Sequence, residues 1–440
     1  MCIINLTRYI FYYTGKSRYT LSVPELMSPI TGEGAMTKKT HLRPSDIRGY
    51  SRLAFDALIG LSDLVEAMHH TIAHAPGVLG TATKGPTKGI TGLVYRSIRG
   101  IARLVGGGID AILAQIVPLL DQRPSSAERE AILAALNGVL GDHLAASGNP
   151  LMISTRLRRY GQPLDLTRQS LAAAIPQPTG KVLLLVHGLF MNDLQWRRKG
   201  HDHGPALATD EGFTEVYLHY NSGLHISVNG RAFAELIEAL LQVWPVPVDE
   251  LVIIGHSMGG LVSRSACHYG KVAGHDWLRH LRKIVFLGTP HHGAPLERGG
   301  NWVNVILDVS PYTAVFARLG KIRSAGITDL RYGSLLDEDW EHRDRFAHSK
   351  DIRRAVPLPN GVKCYSIGAS IAKKSSNLSE QLLGDGLVPL RSALGQHADP
   401  SRNLSFPESQ QWIGYGMNHL DLLDRREVYE RISHWLSSPS

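Results

Sequence analysis

The chain has 440 residues, 43% hydrophobic and 20% charged, a balance that excludes global disorder and supplies enough apolar residues for a large core. A net charge of +8 favours anionic partners; no nucleic-acid-binding motif is legible, so nucleic acid is not expected and an anionic lipid surface is. The three cysteines, Cys2, Cys267 and Cys364, are odd in number and widely spaced, which excludes a disulfide framework and a zinc-type cysteine cluster and fits a reducing compartment.

The first 40 residues are expected to be disordered or an over-extended start. Arg8, Lys16 and Arg18 interrupt the apolar patch around Ile10–Tyr13, and Gly32-Glu-Gly-Ala-Met36 reads like a second start. Neither a secretory signal nor a spanning helix is expected, which gives a cytoplasmic expectation. Residues 41–150 read as a helical region. Ile47 to about His74 carries a stripe of Leu53, Leu58, Leu61, Leu64, Val65 and Met68. A second helical stretch, about Gly89 to Val117, is interrupted by Gly106-Gly-Gly108. In it Arg96, Arg99 and Arg103 lie off the stripe of Ile90, Val94, Ile98, Ile101 and Val105. A basic amphipathic helix of this kind is suited to peripheral contact with an anionic membrane; packing against the rest of the protein is the competing reading. A third helix should begin at Pro124-Ser-Ser-Ala-Glu128, with Ser125 and Glu128 spaced as a capping box, and close at Gly148-Asn-Pro150.

From residue 151 the texture changes. Met152–Arg158 alternates as a strand, with a turn at Tyr160-Gly-Gln-Pro163. Lys181–Val186, Phe213–Tyr220, Leu251–Ile254, Lys283–Gly288 and Val362–Ile367 read as strands, and Val228–Val243 as a helix. Lys181–Val186 has no polar residue after the lysine, as in a sheet covered on both faces. Strands alternating with helices predict an α/β fold with a mostly parallel, doubly wound sheet. The expected domain is 151–440, with an insertion at about 294–360, rich in apolar residues such as Trp302, Val305, Leu307 and Phe316, forming a helical cap; packing onto the sheet alone is the alternative.

The chemistry centres on Leu251-Val-Ile-Ile-Gly-His-Ser-Met-Gly-Gly260. An apolar strand runs into G-x-S-x-G and then a helix, the context in which a sharp turn lifts a serine hydroxyl above the sheet. Ser257 is therefore the candidate nucleophile. Serine needs a base, and the base a group that fixes its tautomer. Asp385, in Gly384-Asp-Gly-Leu-Val-Pro389, and His419, in Met417-Asn-His-Leu-Asp421, follow in the order serine, acid, histidine. An oxyanion needs two N–H donors: Met258, after the nucleophile, and Leu189 in preference to Phe190, in the loop His187-Gly-Leu-Phe190 after the Val186 strand. His187 is expected to shape that loop and not to act as a base.

These pieces, with Gly288-Thr-Pro-His-His-Gly293, resemble the lipases and esterases of the α/β-hydrolase superfamily, over about Lys181 to Leu436. The chain looks like bacterial triacylglycerol lipases and, more loosely, GPI inositol-deacylase-like hydrolases. The resemblance implies the α/β-hydrolase fold and hydrolysis of carboxylic esters through an acyl-enzyme, with an ester or lipid as substrate. An acyl-thioesterase, a phospholipase or an acyltransferase would use the same residues; a non-catalytic binding protein on a vestigial hydrolase fold is the reading from another class. The lipases that the chain resembles often bind calcium near the histidine. Asp421 sits where one ligand carboxylate would be, but Ala372-Lys-Lys-Ser-Ser-Asn377 supplies no second one, so no calcium is expected. His201, His203, His291 and His292 are not expected to be metal ligands, and no cofactor is expected. Oligomeric state is not legible.

Overall fold

The computed structural model describes residues 43–73, 110, 125–294, 324–342, 351, 353–373 and 384–438. The expectations for residues 1–40, for the arginine-bearing stretch from Gly89 to Val117 apart from Asp110, and for the apolar part of the insertion from Trp302 to Leu319 lie outside the described residues.

Eight strands form one sheet: β1 (Arg156–Arg159), β2 (Gln162–Pro163), β3 (Lys181–Val186), β4 (Thr214–His219), β5 (Glu250–His256), β6 (Leu281–Leu287), β7 (Lys363–Ser370) and β8 (Gln411–Tyr415). Their order is β2-β1-β4-β3-β5-β6-β7-β8. Strands β3 to β8 are parallel, while β1 and β2 form an antiparallel edge. Helices cover both faces, which is why β3 and β5 are almost wholly apolar. One apolar cluster joins the sheet to α5 (Ile226–Gln242) and α6 (Met258–Ala273) through Phe233, Ile237, Leu261 and Ala266. The other joins it to α9 (Arg426–Ser437) through Val428, Ile432 and Trp435. This is the α/β-hydrolase fold, as expected from the motifs.

Strand β3 lies between β4 and β5, so the strand order reverses there, and ligands bind above such a switch point. Val186 is in register with Gly255, which sets the loop after β3 beside the turn after β5.

Two helices precede the sheet: α1 (Pro44–Ala73) and α2 (Ala127–Ala146). Asp46 of α1 is buried and takes the Arg129 guanidinium of α2, with Nη2 2.6 Å from Oδ1. Asp110 pairs with Arg48, at 2.7 Å. Residues 41–440 form one compact unit, and α2 packs directly on the loops above the sheet.

Several expectations need correction. The cap of α2 is Ser126, whose side chain accepts from Arg129 N; Ser125 Oγ instead accepts from the Arg129 guanidinium, so the register is one residue later. The segment 151–155 is not strand. Asn137 Oδ1 takes Ile153 N and Asn149 Oδ1 takes Leu151 N, so side chains hold it along α2 until the sheet begins at Arg156. Leu58, placed on the buried stripe of α1, is 45% exposed. Of the insertion, α7 (Ala325–Asp329) and residues 330–342 pack onto the body. Ser324 Oγ donates to Gly138 O of α2 at 2.6 Å, and Trp340 stacks on His225 at 3.8 Å.

Candidate active site

Strand β5 ends at His256 and α6 begins at Met258, leaving Ser257 at φ 53 and ψ −123. A positive φ at a non-glycine residue is strained, and the structure holds it by tight packing. A methyl on Gly259 would sit 2.1 Å from the Val186 carbonyl, and one on Gly255 2.6 Å from Gly260 Cα. Both flanking positions thus have no room for a side chain. Ser257 N donates to Leu287 O at 2.8 Å, tying the turn to the end of β6. The serine is the N-cap of α6, yet its hydroxyl makes no capping bond, and it is half-buried while residues 251–256 are buried. Among the described residues the hydroxyl thus caps nothing, and it stands at a helix N-terminus, where negative charge is favoured.

Beyond β7 and β8 the chain brings an acid and an imidazole together. His419 Nδ1 lies 2.6 Å from Asp385 Oδ2, and His419 N donates to Asp385 O at 3.2 Å. Both side chains are buried. Asp385 Oδ1 takes the amides of Leu387 and Val388, at 2.9 and 2.8 Å. With Oδ2 left as acceptor, Nδ1 carries the proton and Nε2 holds a lone pair. His419 Nε2 is buried and has no hydrogen-bond partner among the described residues. The imidazole lies 4.7 Å from the His256 ring, centroid to centroid, and a methyl on Gly288 would come within 3.0 Å of it. His256 and Gly288 neighbour Ser257 and its partner Leu287, so the imidazole is set beside the serine turn. Asn418 caps the turn that carries His419, its Oδ1 accepting from Leu420 N and Asp421 N.

The loop after β3 lies on the other side of Ser257, where a methyl on Gly188 would meet Ser257 Cβ at 3.1 Å. His187 is fully buried. Its Nδ1–H donates to Gly188 O at 2.9 Å, and burial pushes its pKa down to about 3, so it stays neutral. Tyr220 OH donates to His187 O at 2.7 Å and stacks on the ring. Phe190 has φ 62, and its N–H donates to Ser222 Oγ at 3.2 Å. Among the described residues, the N–H groups of Leu189 and Met258 donate to nothing.

Two parts of this site were not singled out in the sequence. Ser222 and Asn221 follow β4 and are buried; a polar Asn-Ser-Gly just beyond the end of a strand was the available signal. Helix α2 carries none of the candidate site residues, yet Gly138 lies against the Phe190 ring and Gly141 against Asn221, whose Nδ2 donates to Gly141 O at 3.0 Å.

Asp421 Oδ2 accepts from Asn418 N at 3.0 Å, and its other oxygen faces Lys199 at 3.4 Å. His201 Nε2–H donates to His203 Nδ1 at 2.8 Å, and His203 Nε2–H donates to Leu422 O, so no lone pair of His203 is open to a metal. Among the described residues no group of three or more His, Cys, Asp or Glu is placed to hold a metal ion. No helix among them is long and apolar enough to cross a membrane.

Residues 177–368 match the family model of the PGAP1-like alpha/beta domain. Among solved structures the chain is similar to the mature form of the Bacillus licheniformis lipase BlEst2, at 16% identity over 60% of this chain and 95% of that one, with a TM-score of 0.38. It is also similar to a lipase-esterase related protein from Clostridium acetobutylicum, at 14% identity over 58% of this chain and 94% of that one, with a TM-score of 0.30. A third is the phospholipase PlaB from Legionella pneumophila, in complex with thio-NAD, at 15% identity over 48% of this chain and 44% of that one, with a TM-score of 0.30. No residue role follows from likeness at this level. No curated protein matches the chain.

Proposed function

We propose that this α/β-hydrolase-fold chain is a serine hydrolase that cleaves carboxylic esters, of lipase or esterase type, with an ester or lipid as substrate. The observation that carries the reading is a pairing of two features. A serine is held at positive φ on a strand-to-helix turn, and a buried Asp385–His419 pair at 2.6 Å leaves His419 Nε2 unpartnered. In this reading Ser257 Oγ attacks the acyl carbonyl and gives its proton to His419 Nε2, while Asp385 holds the imidazolium through Nδ1–H. The N–H groups of Leu189 and Met258 receive the oxyanion. Phe190 N is already committed to Ser222, which favours Leu189 as the donor from that loop. The imidazolium then protonates the departing alcohol, leaving the acyl group on Ser257. A water, deprotonated by the same nitrogen, releases the acid.

Residues 151–440 form the catalytic domain in this reading, with the insertion at about 294–360 over the acyl group and residues 41–150 supporting the site through α2. The test is labelling by a fluorophosphonate, which needs an activated serine. Wild type should be labelled at Ser257 within minutes. Ser257→Ala should not be labelled at all, and His419→Ala only very slowly. Wild type that stays unlabelled while folded would end the proposal and leave the vestigial, binding-only reading.

A further inference from the structure

Away from the serine, a cavity of about 30 Å³ is lined by Arg264, Arg353, Arg354, Arg402, His291 and His292, with a few apolar and backbone groups. Arg264 lies on α6, seven residues after Ser257, or about 10 Å further along the helix axis. The cavity is therefore separate from the serine turn.

Charge and hydrogen bonding both leave this cavity wanting an acceptor. Arg264 is 4% exposed and has no carboxylate partner among the described residues. Its Nη2 donates to Val356 O, its Nη1 faces His291 Nδ1 at 3.3 Å, and its Nε is buried without a partner. A guanidinium only donates, so His291 Nδ1 accepts and the proton sits on Nε2. That Nε2–H is also buried without a partner. Two buried N–H donors of neighbouring side chains thus lack an acceptor among the described residues, and a buried donor left unpaired is destabilising. Asp351 lies between Arg353 and Arg402, with Oδ1 2.9 Å from the first and Oδ2 3.1 Å from the second. Asp351 is shared by two guanidinium groups, of which Arg402 also faces Asp399 at 3.8 Å, and Asp339 spends its oxygens on the amides of Leu335, Leu336 and Arg354. Arg354 is exposed, and its guanidinium has no partner among the described residues. Burial, and then Arg353, pushes Arg264 down to about 9, while burial, then Arg264 and His292, keeps His291 neutral.

We propose that this cavity is an anion site, taking one small phosphate-type oxyanion between Arg264, the His291 Nε2–H and Arg354 at its mouth. A space of this size exceeds the roughly 10–15 Å³ that one water requires. It accepts a small ion, or the outer oxygens of a phosphate group whose remainder stays outside. The inference is independent of the hydrolase reading, since binding is read without turnover.

The test is calorimetric titration and thermal melting of the full chain with inorganic phosphate, at ionic strength matched with chloride. Glycerol 3-phosphate is a second arm. Wild type should bind phosphate at one saturable site and melt higher than in chloride. Arg354→Gln, at the exposed mouth, should weaken binding about tenfold, and Arg264→Met should abolish it. Binding of glycerol 3-phosphate as well identifies a phosphate group carried on a larger molecule; binding of phosphate alone identifies the free ion. If Arg264→Met does not fold, Arg354→Gln decides. No phosphate-specific effect in wild type, or unchanged affinity in Arg354→Gln, overturns the proposal and leaves the cavity to water.

Discussion

At Ser257 the backbone conformation, φ 53 and ψ −123, suits glycine and strains a side chain by about 1–3 kcal/mol. Ser257→Gly should therefore raise the melting temperature while removing activity; glycine's looser unfolded chain limits the net gain to about 1 kcal/mol. A lower melting temperature would show that the serine side chain stabilises the turn. Asp385 allows a similarly pointed substitution. Its Oδ1 is committed to two backbone amides, so an asparagine there must turn its NH2 group toward His419 Nδ1. Nδ1 then accepts, the proton moves to Nε2, and the base is lost. Asp385→Asn should keep its circular dichroism spectrum and lose on the order of 10⁴ in kcat on a short p-nitrophenyl ester. Near-full activity would place the acid elsewhere. Ser257 could be named from its motif at the end of an apolar strand, and Asp385 and His419 from short motifs and their order along the chain. Ser222 could not, because its role depends on β4 lying beside β3, a neighbourhood that chain order does not give.

Helix α2 shows why elements that carry no reactive group still matter to the site. Its glycines let it approach the loops after β3 and β4: a methyl at Gly138 would stand 2.1 Å from Phe190 Cδ1, and one at Gly141 1.9 Å from Asn221 Oδ1. Gly138→Ala gains helix propensity of about 1 kcal/mol but must displace the Phe190 ring, an overpacking cost of about 1–3 kcal/mol. The displaced loop should cost more in rate than in stability, since small misplacements cost about 100-fold. The expected outcome is a change in melting temperature of only a few degrees with a 10- to 100-fold fall in kcat. A rate unchanged within twofold would mean that α2 does not position the loop. The apolar pattern revealed α2 as a helix, but not what it touches; a small residue on a helix gives no sign of its partner. The core strands were legible because runs such as Val182–Val186 are apolar throughout. Edge strand β1 began four residues later than its alternation indicated, because Asn137 and Asn149 hold the preceding chain by side-chain bonds.

Over the whole molecule, buried neutral histidines set the response to acid. Burial pushes His187 to about 3 and His203 to about 4, and pushes His256 and His291 well below the usual 6.5. Between pH 6.5 and about 4 the unfolded chain binds protons at these positions and the folded chain does not, so stability falls as pH falls. Asp202, raised by burial to about 6, and Asp329, also raised by burial, act oppositely, since the folded state protonates them first, but the buried histidines outnumber them. The melting temperature should drop steeply from pH 7 to pH 5. A flat profile would mean that these rings are protonated and accommodated in the fold. Replacing His203, the first residue of α4 (His203–Glu211) and far from the serine turn in sequence, by glutamine should make the profile shallower.

The central claim is that Ser257 is the nucleophile of an ester hydrolase. Its most direct test is turnover of p-nitrophenyl esters, from acetate to palmitate, by wild type and by Ser257→Ala, with folding checked in both. Wild type should hydrolyse these esters, and the variant should lose on the order of a thousandfold or more in rate while still binding substrate. A folded Ser257→Ala variant that keeps a tenth of the wild-type rate would contradict it.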